Sequence, residues 1–492
     1  MCGIAGIVDY GNNNSSVSGE LLKTMSDVIT HRGPDSEGRW LSEDRKCGLA
    51  FRRLSIIDLS DAGNQPMSTS DGRFSLVFNG EIYNHAELRD DLIKKGYTYR
   101  SETDTETILY GFAEYGLDLL EKMTGMWAIA IWDDLNKELF CARDRIGIKP
   151  LYFYNQNGRF IFGSEIKSIL QHPEVTAEMN IEELPNYLNH GMSSNRNSLF
   201  KNIHKIPAGH FVKLSEDGDL HLKEWWSPIT KETEYTGLST DEIASEVLNL
   251  LKTAVKDRMM SDVPFGVFLS GGIDSSLNVA LMSELMDRPV DTYSVGFKEL
   301  EKYNELGYAR QVADLFQTNH REILIDQDDC FGIIEDLPWH EDEPNGDPVC
   351  MPLYFLSKLT RDSGTVVIQV GEGSDEQFVG YPWMLQEYKF YNTYWKYYTG
   401  LPGAMKKATL AATRPFMRMM NQHLVLDYIR RGTEGDELYW SSRSIFSPSH
   451  LELLLEKEHK FLSKIPAEYA NSIHAQILEK KPMADYLQQI GR

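Results

Sequence analysis

The chain lacks any apolar run approaching the roughly 20 residues that cross a bilayer. Its N-terminus, MCGIAGIVDY, has no basic residue ahead of its apolar stretch, so it does not read as a secretory leader. A cytoplasmic chain is the expectation. No CxxC pair occurs among the five scattered cysteines (Cys2, Cys47, Cys141, Cys330, Cys350), which argues against a disulfide framework and a structural zinc site. Positive charge is scarce: 50 Lys and Arg against 73 Asp and Glu leave a net −23. That balance repels nucleic acid phosphates and anionic membranes, so neither is expected as a partner.

What is present is an ordinary globular composition over 492 residues, enough for two or three domains. Strands are predicted at Gly3–Val8, Gly48–Ile57, Phe74–Phe78, Trp127–Trp132, Leu139–Ala142 and Phe160–Phe162. Helices are predicted at Leu21–Ile29, His85–Lys95 and Thr105–Tyr115. Clustered strands with helices between the clusters imply α+β layering. The stretch after Glu174 is polar and rich in Pro and Gly, with a hairpin predicted at His210–Leu214 and Leu220–Lys223. From Ser239, a capping-box start (Ser239, Glu242) opens a new domain in which strands and helices alternate, implying a parallel, doubly wound sheet. Beyond Trp383 the sequence reads as helical. The division expected is a first domain at 2–185, a connector at 186–238 and a second domain at 239–492.

Three strings carry chemistry. Removal of Met1 would leave Cys2 first in the chain, with its own α-amine, of ordinary pKa about 7.7–8.0, as a base. The strand Pro264–Leu269 runs into Ser270-Gly271-Gly272-Ile273-Asp274-Ser275-Ser276 and then a helix. Two glycines and a helix N-terminus make an anion cradle; the missing lysine rules out a Walker loop. After a strand at Thr365–Val370 comes Gly371-Glu372-Gly373-Ser374-Asp375-Glu376. Carboxylates beside a phosphate loop suit Mg²⁺, though the string also reads as a solvated acidic loop.

Cys2-Gly3-Ile4-Ala5-Gly6, His31-Arg32-Gly33-Pro34-Asp35, Asn79-Gly80-Glu81-Ile82-Tyr83-Asn84 and Ser101–Glu106 together resemble the class II glutamine amidotransferases. The resemblance implies an N-terminal nucleophile hydrolase sandwich (αββα) with Cys2 attacking the glutamine amide. It implies an oxyanion hole from Asn79 and Gly80, Arg53 on the glutamine carboxylate, and Glu81 and Asp104 on the α-amine. Taken singly, Arg53 also reads as a solvated charge on a strand and Asp104 as a helix N-cap.

The Ser270–Ser276 string resembles the pyrophosphate loop of ATP pyrophosphatases. With Ser294-Val295-Gly296-Phe297 and Tyr303-Asn304-Glu305, the whole resembles the glutamine-hydrolysing asparagine synthetase family. That implies an α/β parallel-sheet domain with a helical C-terminal part. It places ATP on Ser270, Gly271, Gly272, Asp274, Ser275, Ser276, Val295, Gly296 and Gly371, and Mg²⁺ on Asp274 and Asp375. Glu372 would handle protons as ammonia attacks an adenylated carboxylate, with pyrophosphate and AMP released.

Aspartate is the first acceptor expected. A uronic-acid sugar is the alternative, since Val370 stands where the resemblance to asparagine synthetases implies Ser, and Tyr381 and Trp383 offer stacking surface. Glu341-Asp342-Glu343-Pro344 reads as an acceptor loop. Family members continue past this chain's end with a basic segment that nothing after Asp485 supplies, so a fragment or a non-synthesising glutaminase relic also stays open. A homodimer is compatible with these readings.

Overall fold

In a computed structural model of the chain, residues 1–11, 16–229, 237–437 and 445–481 are described. Asp485 lies outside them.

Strands β1 (Gly3–Asp9), β2 (Ser36–Leu41), β3 (Cys47–Arg53), β4 (Met67–Ser68), β5 (Phe74–Ile82) and β6 (Gly125–Asp133) come first. They are followed by β7 (Glu138–Arg143), β8 (Tyr152–Gln156), β9 (Arg159–Gly163), β10 (Ile203–Lys205), β11 (His210–Leu214) and β12 (Leu220–Glu224). They form two antiparallel sheets, ordered β10-β8-β9-β1-β3-β2 and β12-β11-β7-β6-β5-β4. Ile4, Leu49 and Phe51 of the first sheet pack on Val77, Ala130 and Trp132 of the second, which builds the central core. Helix Gly19–Asp27 covers the outer face of the first sheet through Leu22 and Met25. Helix Asp104–Tyr115 covers that of the second through Ile108, Leu109 and Phe112. The result is the four-layer αββα sandwich.

Residues 186–238, read above as connector, contribute β10 to one sheet and the β11–β12 hairpin to the edge of the other. Short apolar alternation flanked by Pro and Gly resembles a linker until sheet edges are available to pair with it.

The second region starts at helix Thr240–Asp257, whose Ser239–Glu242 capping box is present. Strands β13 (Phe265–Phe268), β14 (Asp291–Phe297), β15 (Asn319–Ile325) and β16 (Val367–Gln369) form one parallel sheet, ordered β15-β14-β13-β16. Helices Ile273–Leu285 and Leu306–Phe316 pack on it through Val279, Met282, Ala309 and Ala313. Helices make up most of the described chain after Pro382. No described helix is long and apolar enough to cross a membrane.

Candidate active sites

β1 and β3 run antiparallel with Gly3 opposite Arg52, so Cys2 and Arg53 leave the same sheet edge together. β5 passes alongside, and the structure brings Cys2, Arg53, Asn79, Gly80, Glu81 and Asp104 to the wall of one cavity of about 320 Å³. Arg53, Asn79, Glu81 and Asp104 are each 6% exposed or less.

Arg53 is not a solvated charge. Its Nη1 donates to the Ser60 carbonyl at 2.7 Å and to Asn64 Oδ1 at 2.9 Å, and its Nη2 donates to the Asp58 carbonyl. These hydrogen-bond partners are all neutral oxygens. Nor is Asp104 the N-cap: Thr103 caps the helix by accepting the Thr105 N–H, and Asp104 is the first helical residue. Asp104 Oδ2 instead accepts the Ile82 N–H at 2.9 Å. Burial, reinforced by the Glu81 charge and opposed by that bond, pushes its carboxyl up to about 7.

Both polar atoms of the Asn79 side chain are buried without a partner among the described residues. An orphaned amide of this kind costs on the order of 1–3 kcal/mol unless something binds it. At Gly80 a Cβ would overlap the Met126 carbonyl and Trp127 Cα, so only glycine lets the β5 backbone lie this close to β6.

Cys2 Sγ sits between the Leu54 carbonyl, 3.5 Å away, and the Leu54 N–H at 3.4 Å. Burial raises its thiol, with the adjacent α-amine opposing. That amine, at Met1, is itself pulled down to about 5 by burial.

Lys149, which the sequence reading missed, lines the same cavity and is 5% exposed. Its amine is pulled down by burial while the Glu81 charge opposes the shift. Asp144 builds the turn that delivers it, accepting N–H groups from Trp127, Ile146, Ile148 and Lys149 at 2.9–3.2 Å. The available signal was Arg143–Pro150, a charged Gly-containing string directly after an apolar strand.

The second site lies at the C-terminal ends of β13 and β16. Gly271 has φ +84, and a Cβ there would overlap Tyr308, so glycine is required twice over. Gly272 is the N-cap of helix Ile273–Leu285, with no side chain capping it. Ser270 Oγ and Ser275 Oγ are 3.0 Å apart and brace the turn, and Ser276 Oγ is buried with no partner among the described residues. An uncapped helix N-terminus beside an orphaned hydroxyl fits a phosphate group.

Gly371 packs on Asp274, which joins the two strings. Burial and the neighbouring charges of Asp375 and Glu376 raise the Asp274 carboxyl. A carboxyl raised by burial and by two neighbouring acidic side chains fits a divalent cation. Glu372 is exposed and Asp375 partly buried. Val295 and Gly296 lie on β14, where Gly296 packs against Leu306 and Asn304.

The cavity at Cys2 continues to Val366, Val367, Ile368 and Val370 of the second region. Val370 therefore lines the cavity that starts at Cys2.

Residues 1–226 match the family model for a glutamine amidotransferase domain, and residues 246–485 that for asparagine synthase. Asparagine synthetase [glutamine-hydrolyzing] 1 of Bacillus subtilis is 33% identical, over 94% of this chain and 71% of its own length. The chain belongs to the glutamine-hydrolysing asparagine synthetase family. A Methanocaldococcus jannaschii relative, provisionally named asparagine synthetase [glutamine-hydrolyzing] 2, is 36% identical over 79% of this chain and 77% of its own. Membership makes the protein an amide ligase, and ATP binding fits its second domain.

Proposed function

We propose that the protein hydrolyses glutamine at Cys2 and uses the ammonia to convert aspartate into asparagine at the expense of ATP. The observation carrying the first half is the buried Asn79 amide, without a partner among the described residues, on the wall of the cavity that Cys2 shares. Once Met1 is removed, the α-amine belongs to Cys2, and an α-amine of ordinary pKa, about 7.7–8.0, supplies a base beside its own thiol. The amine takes the thiol proton and Sγ attacks the carboxamide carbon. Asn79 Nδ2 and the Gly80 N–H donate to the oxyanion, and ammonia leaves with the returned proton. Water then releases glutamate from the thioester. Arg53 holds the glutamine carboxylate, for which its paired carbonyl acceptors are no substitute. Glu81 and Asp104 hold the α-ammonium.

In the second half, the Ser270–Ser276 turn cradles the ATP phosphates, and the β14 segment around Val295 and Gly296 borders the adenine. Asp274 and Asp375 would hold Mg²⁺, which neutralises phosphate charge when bound. Glu372, exposed at the rim, accepts a proton as ammonia displaces AMP from the adenylated acceptor. The continuity of the Cys2 cavity with Val366–Val370 supports transfer of ammonia between the halves. We place the boundary between the halves after Glu224, because β12 still belongs to the first sandwich.

Aspartate is favoured by the names of the relatives. Support for a uronate weakens in the structure: the Tyr381 and Trp383 rings stack on each other at 5.6 Å, and the Tyr381 hydroxyl donates to Glu376. The test is product analysis with glutamine, ATP and aspartate. AMP and pyrophosphate should appear in step with asparagine. ADP and phosphate, or amidation of a uronate in place of aspartate, would overturn the proposal.

A further inference from the structure

Two strings singled out in the sequence have no role in the reaction above, and the structure joins them. His31 and Arg32 follow the first helix of the sandwich. Asp342 and Glu343 lie in the second region, between helices Leu337–Glu341 and Cys350–Asp362. Glu165 and Lys167, just past β9, stand between the two.

The contacts form an unbroken chain. Arg32 Nε donates to the Cys2 carbonyl oxygen at 3.0 Å, and its Nη1 to Glu165 Oε1 at 2.8 Å. Lys167 Nζ donates to Glu165 Oε2 at 2.5 Å and reaches Asp342 Oδ1 at 2.8 Å. Asp342 also accepts the backbone N–H groups of Ile166 at 2.5 Å and Lys167 at 3.3 Å. All four side chains are 10% exposed or less. The Trp339 ring covers Lys167 Nζ at 4.8 Å and packs on His31 at 4.8 Å. Glu343 adds a second anchor, accepting the Leu199 N–H at 2.6 Å and the Ser193 hydroxyl at 3.0 Å. Two carboxylates of the expected acceptor loop are thus engaged by the opposite domain.

Buried ion pairs add little net stability over apolar packing, but removing one partner strands a charge. Such pairs are suited to holding register. Here three links are charge-assisted hydrogen bonds and the fourth, Lys167 to Asp342, is a close ion pair, and the first ends on the backbone of the nucleophile's own residue. Asp342 has φ +64, a left-handed backbone for a residue with a side chain. The 342–348 loop therefore cannot shift far without breaking buried charged contacts that lead to Cys2.

We propose that Lys167, with Arg32, Glu165 and Asp342, is a positioning relay that ties the Cys2 backbone to the 342–348 loop, so that occupancy of the synthetase site sets the rate of glutamine hydrolysis. The inference rests on the reading of Cys2 as the nucleophile.

The experiment uses the full chain and measures glutamate release. Lys167→Met should lower kcat about tenfold while KM for glutamine stays within about twofold, because Arg53, Glu81 and Asp104 are untouched. Lys167→Arg should recover most of the loss. Adding ATP, magnesium and aspartate should change the native kcat about fivefold or more, and Asp342→Asn, which removes the charge facing Lys167 and keeps one oxygen to accept the Ile166 N–H, should abolish that response. Native kcat in Lys167→Met, a KM that rises in step with the loss, or a failed Lys167→Arg rescue would overturn the relay. So would a native protein without the response, or Asp342→Asn that retains it. If Lys167→Met does not fold, the Asp342→Asn comparison decides alone. Undiminished hydrolysis by Cys2→Ala would instead overturn the nucleophile reading beneath it.

Discussion

The two halves of the chain bury their reactive groups to different depths. In the sandwich, Arg53, Asn79, Glu81 and Asp104 are nearly inaccessible, and all seven residues of β1 are buried. In the second region Ser270 and Glu372 are exposed, Asp274 and Asp375 are only partly covered, and helix Gly403–Met419 buries none of its residues. The chemistry accounts for the contrast. In the proposed reaction a small amide is cut where water is limited and ammonia does not escape, which suits an enclosed site in which desolvation dominates the titration of the acids. A nucleotide is large and highly charged, and the proposed site for it lies open at a sheet rim, where Asp375 and Glu376 add to the effect of burial on Asp274.

The sharpest way to break this comparison is to disable each site alone. Cys2→Ala should lower glutamine hydrolysis on the order of 10⁴-fold or more and leave ammonium-driven pyrophosphate release intact. Asp274→Ala should do the reverse. Loss of both activities in either variant would show that the halves do not work as separate sites.

Within the enclosed site, Asn79→Ala should cost about 10²–10³ in kcat with little change in KM, the range for removing one oxyanion donor. A loss confined to KM would place Asn79 on the ground-state substrate instead.

The next effect is in pH. In its proposed role Asp104 must be ionised to hold the substrate ammonium, and its carboxyl is pushed up to about 7 by burial. Therefore kcat/KM for glutamine should fall as pH drops through about 7, and Asp104→Asn should flatten that limb while raising KM. The stability sign is opposite. The folded state keeps the proton that the unfolded chain releases near pH 4, so this group's contribution is full below about 4 and is lost as pH rises through about 7. Denaturant midpoints of native and Asp104→Asn protein across that window would check it.

The smallest effects compare the packing of the two halves. Trp132→Ala, at 1% exposure in the central core, should destabilise the sandwich by about 3–5 kcal/mol. Phe416→Ala, at 52% exposure, should stay within about 0.5 kcal/mol. Equal shifts in denaturant midpoint would contradict the difference in burial.

Strands whose residues are buried on both faces were legible because runs such as Gly3–Val8 and Trp127–Trp132 are apolar throughout. β2 was not: Ser36–Leu41 is a polar edge strand, and a half-solvated edge has no need of apolar residues. β10 at the opposite edge escaped for the same reason, and β11–β12 was found as a hairpin but assigned to a connector. Leu306–Phe316 was read to the residue, since an amphipathic helix states its period in its own spacing.

By itself, the sequence determined the order of the two domains, α+β layering followed by a parallel sheet, and the strings bearing Cys2, Asn79-Gly80 and Ser270–Ser276. These depend on local spacing and on residue types that chemistry demands. Only the tertiary structure decided that Arg53 is buried and that Asp104 yields the cap to Thr103. It alone showed that Lys149 reaches the Cys2 cavity and that Asp342 answers Lys167 from the other domain. Such facts arise between segments far apart in the chain. Burial and charge pairing are properties of what surrounds a residue, and the spacing of its sequence neighbours does not encode them.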